Sequence, residues 1–468
     1  MNFGQLLKHY IHDSEKSIRL FSEITDLNRG FLYNIFAGKK HLPEDKFHKI
    51  LVSFPFSNTQ KENLSTAFYQ DIYGTNDFDK IQYIISELKK LKEFKDEDFS
   101  FSNSYNSNDN ETEYIIGKDK LIDTISYLLY KSSSFEFPFV YSNFEFSQKE
   151  IDTMIYSLLL EKKLDLIHLI KFNNNGMDTY NLSNIFHSIK YARRKYNTYY
   201  YYCNQKIFLD NFFPFYLVTN TGIVLYNNTL CHGLLITDDS IIDNFKTRIA
   251  ETIDQCTPLV IFPDNAFELK QIVAPNSFVA SISSIPCITP FLSKEMFYDM
   301  ALDDLKNKDY VINSLHDWYS ISASEASVSY TSLNTSEGFH RFAKTGNIPY
   351  FPSEYANPLS IENRVKILEM CMTENSKYHN FYLADDSKIL FPDYINIELS
   401  APNKIVIYGS FNGPEHSYMG EFVIPITNNI LYSDFNNFRN YAIRNHLYTN
   451  DNFTELFQKN LIRKLKNQ

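Results

Sequence analysis

Residues 17–49 read Ser-Ile-Arg-Leu-Phe-Ser-Glu-Ile-Thr-Asp-Leu-Asn-Arg-Gly-Phe-Leu-Tyr-Asn-Ile-Phe-Ala-Gly-Lys-Lys-His-Leu-Pro-Glu-Asp-Lys-Phe-His-Lys. Ser17 is a good helix cap, and Ile18, Phe21 and Ile24 repeat at the spacing of one helical face. Ser22 is small where a second helix has to cross closely. Thr25-Asp26 marks a turn, because Asp tolerates left-handed backbone better than most residues. Asn28 then caps a second helix, Arg29 to Ala37. Its Leu32, Ile35 and Phe36 fall at i, i+3 and i+4 and face inward. Arg29, Gly30, Tyr33 and Asn34 are left facing out. Gly38 stops the helix without penalty for positive φ, and Lys39 and Lys40 follow at once. Pro43 opens a further helix, with Glu44 and Asp45 at its positive end.

Two short helices, a tight turn and a basic loop are the geometry of a helix-turn-helix, which lays its second helix in the major groove of DNA. The run from Phe21 to Lys40 resembles the helix-turn-helix of the Cro and phage-repressor class, the XRE-like family. The resemblance implies that Asn28, Arg29, Gly30, Tyr33 and Asn34 face base edges. It implies that Lys39 and Lys40 touch the phosphate backbone. It covers about the first 70 of 468 residues. Two positions depart from the family: Ile18 stands where a polar phosphate contact is common, and Asp26 stands where the turn glycine is common.

The flanks extend the pattern. Phe3, Leu6, Leu7, Tyr10 and Ile11 make an apolar stripe on a first helix, Asn2 to Ile11. Phe47, Ile50 and Leu51 line the fourth. Ser57 and Gln60 form a capping box for a fifth helix that ends at Gly74. From Phe78 to Phe94 a sixth helix carries Phe78, Ile81, Ile85 and Leu88 at alternating spacings of three and four. That face reads as packing on the next domain, with a short dimerisation seam as the competing reading. Residues 95–113 are rich in Ser, Asn and acid and nearly free of aliphatics, which marks a linker.

Beyond it, helices and strands alternate. Helices are expected over Leu121–Leu129, Ile151–Leu160 (capped by Ser147 with Glu150), Leu182–Ala192 and Ser240–Ile253. Strands are expected at Asp165–Phe172, Phe215–Val218, Gly222–Tyr226, Leu230–Ile236 and Pro258–Phe262. The last third adds a helix over Ile361–Met372 and strands over Lys388–Leu399 and Lys404–Phe411. A turn at Asn412-Gly413-Pro414 leads to a hairpin partner from Gly420, and two closing helices follow, Leu431–Ala442 and Asn452–Leu465. The fold class is therefore multidomain: an all-α helix-turn-helix N-terminal domain followed by α/β or α+β C-terminal domains. The expected segments are 1–74 (helix-turn-helix), 75–113 (helix and polar linker), 114–290 (α/β sensor or oligomerisation domain) and 291–468 (α+β domain). The 290 boundary rests on Pro286, Pro290 and a shift to acidic helix.

Composition bounds the function. The net charge of −11 argues against a chain-wide nucleic-acid surface. Residues 1–51 hold eight Lys/Arg and six Asp/Glu, a local +2 against −13 for the rest, so the positive sign sits with the motif. So small an excess implies modest affinity per head and an assembly that adds two half-sites. The 34 Tyr and 40 Phe accompany abundant Asn, Ile and Lys, a codon-bias signature rather than a stacking surface. Cys203, Cys231, Cys256, Cys287 and Cys371 are too far apart for a zinc ribbon or a redox pair and suit a reducing compartment. With no signal peptide and no long apolar run, a cytoplasmic location is expected.

No phosphate-cradling glycine loop, dinucleotide fingerprint, His-Glu-x-x-His or nucleophile elbow is present. Gly409-Ser-Phe-Asn-Gly413 reads as a hairpin turn. The paired acids Asp238-Asp239, Asp303-Asp304 and Asp385-Asp386 read as turns or caps. His9 and His12 share a helix face but have no evident partner. His168 and His232 read as core histidines. Arg193-Arg194-Lys195 before Tyr196–Tyr202 reads as a cationic helix end running into an aromatic strand, with an anion or nucleotide site as the competing reading.

The expected function is a cytoplasmic DNA-binding transcriptional regulator that needs no cofactor or metal. Its expected partners are double-stranded operator DNA, a second copy in a homodimer or higher homo-oligomer, and a small-molecule or peptide effector, with no membrane. The alternatives are a helix-turn-helix fused to an enzymatic or defence effector domain, and a protein-interaction scaffold.

Overall fold

The computed structural model describes residues 1–94, 112–161, 163–174, 176, 178–194, 196–202, 213–264, 268, 271–272, 278–284, 286, 288, 291–324, 330–348, 356–373, 379–410, 422–449 and 452–467. The chain divides into two compact units, Met1–Tyr83 and Ile84–Gln468. The expected linker, except residues 112 and 113, lies outside the described residues, as do Cys203, Cys287, Pro290, Lys195 and the turn at 412–414.

The first unit is helical: α1 (Phe3–Asp13), α2 (Ile18–Thr25), α3 (Arg29–Phe36), α4 (Glu44–Ser53), α5 (Asn58–Tyr73) and the start of α6 (Thr75–Glu93). Each boundary has a local cause. Asn2 and Ser57 form capping boxes with Gln5 and Gln60. Ser17 Oγ accepts from Leu20 N, and Asn28 Oδ1 accepts from Gly30 N at 2.8 Å. Asp26 is left-handed at φ 56°, and Gly38 at φ 67°. Inside, Phe47 and Phe68 stack at 3.9 Å while Phe3 meets both edge-on.

Several expected core positions are half-buried instead. Ile18 and Ile24 flank the core on α2, whose buried residues are Phe21 and Thr25. Leu6, Tyr10 and Leu51 are also half-buried. On α6 the buried residue is Ile84, with Ile85 half-buried. That stripe advances 3-3-4-3 through Phe78, Ile81, Ile84, Leu88 and Leu91, the drift of an ordinary packed helix.

The second unit carries two mixed sheets. The first is built from β1 (Thr112–Ile116), α7 (Lys118–Ser132), β2 (Phe139–Ser142), α8 (Lys149–Leu160), β3 (Asp165–Phe172), α9 (Tyr180–Ala192), β4 (Asn197–Tyr202), β5 (Phe215–Thr219), β6 (Ile223–Tyr226), β7 (His232–Ile236), α10 (Asp239–Ile253) and β8 (Thr257–Val260). Strand order is β1-β7-β6-β5-β2-β3-β4-β8. β2, β3 and β4 run parallel through the crossover helices α8 and α9, and β5 returns antiparallel beside β2.

The second sheet holds β9 (Phe278–Ser283), α11 (Lys294–Met300), α12 (Lys308–Ser324), β10 (Tyr330–Asn334), α13 (Ser336–Thr345), α14 (Ile361–Thr373), β11 (His379–Ala384), β12 (Ile395–Ser400), β13 (Lys404–Gly409), β14 (Phe422–Thr427), α15 (Asn429–Arg444), β15 (Tyr448–Thr449) and α16 (Asn452–Lys466). Its order is β14-β13-β12-β9-β10-β11-β15. Ile261 and Val423 exchange backbone hydrogen bonds at 2.8 and 2.7 Å, joining the sheets edge to edge. Among the described residues no helix is long and apolar enough to cross a membrane.

Three local expectations are corrected here. α8 starts from Gln148 without a side-chain cap, while Ser147 Oγ donates to Glu145 and Glu150 pairs with Lys118. The strand expected from Lys388 begins only at Ile395, because Asp385 gathers Ser387 and Lys388 into a turn. His232 is exposed at the start of β7, its Nδ1 3.2 Å from Tyr114 Oη.

Candidate nucleic-acid interface

α3 is set by what lies beneath it. Leu32, Ile35 and Phe36 are buried, and the α1 backbone approaches closely at Gly4. A Cβ on Gly4 would stand 2.0 Å from the Ile35 carbonyl oxygen, so only glycine admits this approach. The turn before α3 is fixed by Leu27 N donating to Ser22 O at 3.1 Å and by Ser22 Oγ donating to Leu27 O at 2.5 Å.

The opposite face of α3 is bare. Asn28, Arg29, Gly30, Lys39 and Lys40 are exposed, Tyr33 is 55% exposed, and Asn34 is half-buried. Asn28 spends its carbonyl oxygen on the cap. Asn34 Nδ2 donates to Gly30 O at 2.9 Å, which takes up one of its two amide hydrogens and leaves the other hydrogen and Oδ1 for a base. Lys40 Nζ stands 6.0 Å over the Phe31 ring. Five acids of this unit are each held by a nearby base: Asp13 by His9, Glu23 by Arg19, Asp26 by Lys49, Asp71 by His41 and Asp77 by Lys80. The His9 partner is Asp13, one turn away at i+4, which the sequence reading overlooked. Arg29 and Lys39 make no ion pair among the described residues. The face can therefore offer two uncompensated cations beside an aromatic ring.

Other titratable groups are structural. His168 is buried with Nε2 2.8 Å from Phe144 O and its ring stacked on Phe144, and burial depresses it to about 4. Lys190 lies 4.3 Å over Tyr156, and Arg193 lies over Phe94 and Tyr394 at 5.3 and 5.0 Å. These cations hold the end of α9 against neighbouring segments, and beyond Ala192 the chain runs into the aromatic strand β4, the helix end and strand that the plainer reading of that cluster expected. Asp238 caps α10. Burial pushes Glu398 up to about 7, and Tyr408 Oη donates to it at 2.5 Å.

One cavity of about 570 Å³ opens at the carboxyl ends of β2, β3 and β4. Asn143, Glu145, Lys171, Tyr180, Asn184 and Tyr201 contribute to its wall. No motif announced it, because its residues are scattered from 143 to 229. The only local signal was Asn143-Phe-Glu directly after a parallel strand, where α/β sheets place ligands.

No family model matches the chain, and no curated protein matches it. Among solved structures it is similar to TrmBL2, described as an archaeal chromatin protein with a novel mode of DNA binding. That alignment has 12% identity, covers 52% of this chain and 98% of that one, and has a TM-score of 0.24. It is also similar to the polyphosphate kinase of Porphyromonas gingivalis at 10% identity and a TM-score of 0.24, over 69% of this chain and 48% of the kinase. At that TM-score neither likeness amounts to a common fold.

Proposed function

We infer that this chain is a transcriptional regulator of the Cro and phage-repressor kind, working in the cytoplasm on double-stranded operator DNA. The observation that carries the reading is the bare face of α3: Arg29 uncompensated, Tyr33 raised beside it, and Lys39 and Lys40 directly after Gly38. In this reading Arg29, Tyr33 and Asn34 meet base edges, while Lys39, Lys40 and the first amides of α3 meet phosphates. One head gives few contacts. A homodimer or larger assembly, held by residues beyond 113, sets two recognition helices about 34 Å apart to span successive major grooves. An effector bound by that large region changes the spacing and hence the affinity.

The test replaces Arg29, Tyr33 and Asn34 together with Ala in the full chain. Their side chains lie outside the core of the unit, so circular dichroism is expected to be unchanged. Loss of a good base contact costs about 1–3 kcal/mol, so operator binding is expected to fall to the non-specific level. Undiminished retardation of the operator in a gel-shift assay defeats the assignment.

A further inference from the structure

The cavity at the carboxyl ends of β2, β3 and β4 belongs to the second unit, and hydrogen bonds hold several of its wall residues. Asn143 is held at both ends, donating to Pro214 O and accepting from Tyr216 N, each at 2.8 Å. Asn184 Nδ2 donates to Lys171 O at 3.1 Å. Asn227 Oδ1 accepts from the amides of Cys231 and His232. Glu145 receives Tyr180 Oη at 3.1 Å and Ser147 Oγ at 3.2 Å, and a carboxylate retains lone pairs for further donors. Lys171 lines the same space and makes no ion pair among the described residues, with Glu145 or any other acid. The space thus holds one cation and one carboxylate that do not neutralise each other, with the aromatic residues Tyr201 and Phe215 also contributing to its wall.

We propose that this cavity binds a nucleoside monophosphate, with the phosphate on Lys171, sugar hydroxyls on Glu145 and the base against the aromatic wall. Three features choose this class. A separated cation and carboxylate fit a ligand that carries an anion at one end and hydroxyl donors further along. A volume of about 570 Å³ suits a ligand with a ring system and leaves most of the space empty around a lone phosphate or amino acid. The place, outside the carboxyl ends of parallel strands and beside the point where β5 turns back along β2, is where open α/β sheets take such ligands. The proposal rests on the reading of this region as a sensor, and names what it senses.

The test is isothermal titration of the full chain, without DNA, against the four common ribonucleoside monophosphates, their nucleosides, ribose 5-phosphate and inorganic phosphate. At least one nucleotide is expected to bind, at least tenfold more tightly than ribose 5-phosphate or inorganic phosphate. Lys171→Met is expected to weaken that nucleotide about tenfold or more and its nucleoside less than twofold. Glu145→Gln is expected to weaken both, and Lys171→Arg to restore nucleotide binding, which separates a contact from a folding defect. Absence of binding by every nucleotide at 1 mM overturns the proposal. So does inorganic phosphate binding as tightly as the best nucleotide, or Lys171→Met leaving the nucleotide unaffected. The same nucleotide is then added to the gel-shift assay. Binding in the calorimeter with no effect on retardation removes the sensor role and keeps the site.

Discussion

Gly4→Ala is the most informative single change in the N-terminal unit. The added carbon would sit 2.0 Å from Ile35 O and 2.8 Å from Ile35 C, both backbone atoms that no rotamer change can move. Relief to a tolerable contact requires α1 and α3 to part by at least about 1 Å, which opens the layer formed by Phe3, Leu7, Leu32 and Ile35. Overpacking of this kind costs about 1–3 kcal/mol, and a rigid backbone contact belongs at the upper end. Ala returns at most about 1 kcal/mol of helix propensity. The net loss is about 2 kcal/mol, or roughly 30-fold in an opening equilibrium. Hydrogen exchange of α1 and α3 amides in the full chain reads this directly. Gly30→Ala is the control: its Cβ meets only the Asn28 side-chain oxygen, at 3.1 Å, so its exchange is expected not to quicken, and to slow by at most about fivefold from the gain in helix propensity. Wild-type exchange in Gly4→Ala, or equal damage from Gly30→Ala, refutes the claim that this backbone approach seats α3.

Further outcomes follow from other parts of the molecule. Replacing Lys39 and Lys40 with Ala is expected to lower affinity for all DNA sequences alike and to reduce the slope of log affinity against log salt by about 2 per head, read by fluorescence anisotropy; an unchanged slope contradicts their phosphate role. Glu398 has its folded pKa raised to about 7, so its contribution to stability is full below the unfolded carboxyl range near 4.5 and is lost as pH rises through 7. Glu398→Gln is therefore expected to flatten the loss of stability between about pH 4.5 and 7 by on the order of 1–3 kcal/mol, measured by urea unfolding at several pH values, and an unaltered pH profile counts against it.

The helical unit was legible because its signals are local and agree with one another. Ser17, Asn28 and Ser57 cap helices within three residues of themselves, and Asp26 and Gly38 take the left-handed backbone their types allow. Errors arose where amphipathic spacing was taken for burial. Ile18 and Ile24 share the stripe of Phe21 but lie at its margin, and Ile84 rather than Ile85 faces inward on α6. Strand pairing was largely hidden. β1 takes its place beside β7, with Thr112 opposite Ile236, a partnership no nearby residue encodes. For the same reason His232 was misread: its neighbours in sequence are aliphatic, but its place at the start of β7 exposes it. Seven strands in the order β14-β13-β12-β9-β10-β11-β15 depend on contacts as distant as Ser283 with Asn396. The cavity stayed invisible because Glu145, Lys171 and Tyr201 come to one wall only after two crossovers are folded. Asn34, expected to face outward, is half-buried on α3, and its amide bond to Gly30 is a feature of the folded helix that spacing cannot reveal.

The central claim is that α3 reads a duplex. It is tested most directly by selecting bound duplexes from a random library with the full chain, then comparing wild type and Arg29→Ala on the selected sequence and on scrambled DNA. The account predicts that wild type prefers the selected sequence by about 10³-fold or more, and that Arg29→Ala loses about 10–100-fold on that sequence and far less on scrambled DNA. No enriched sequence, or equal affinities of wild type and Arg29→Ala for the enriched one, would contradict it.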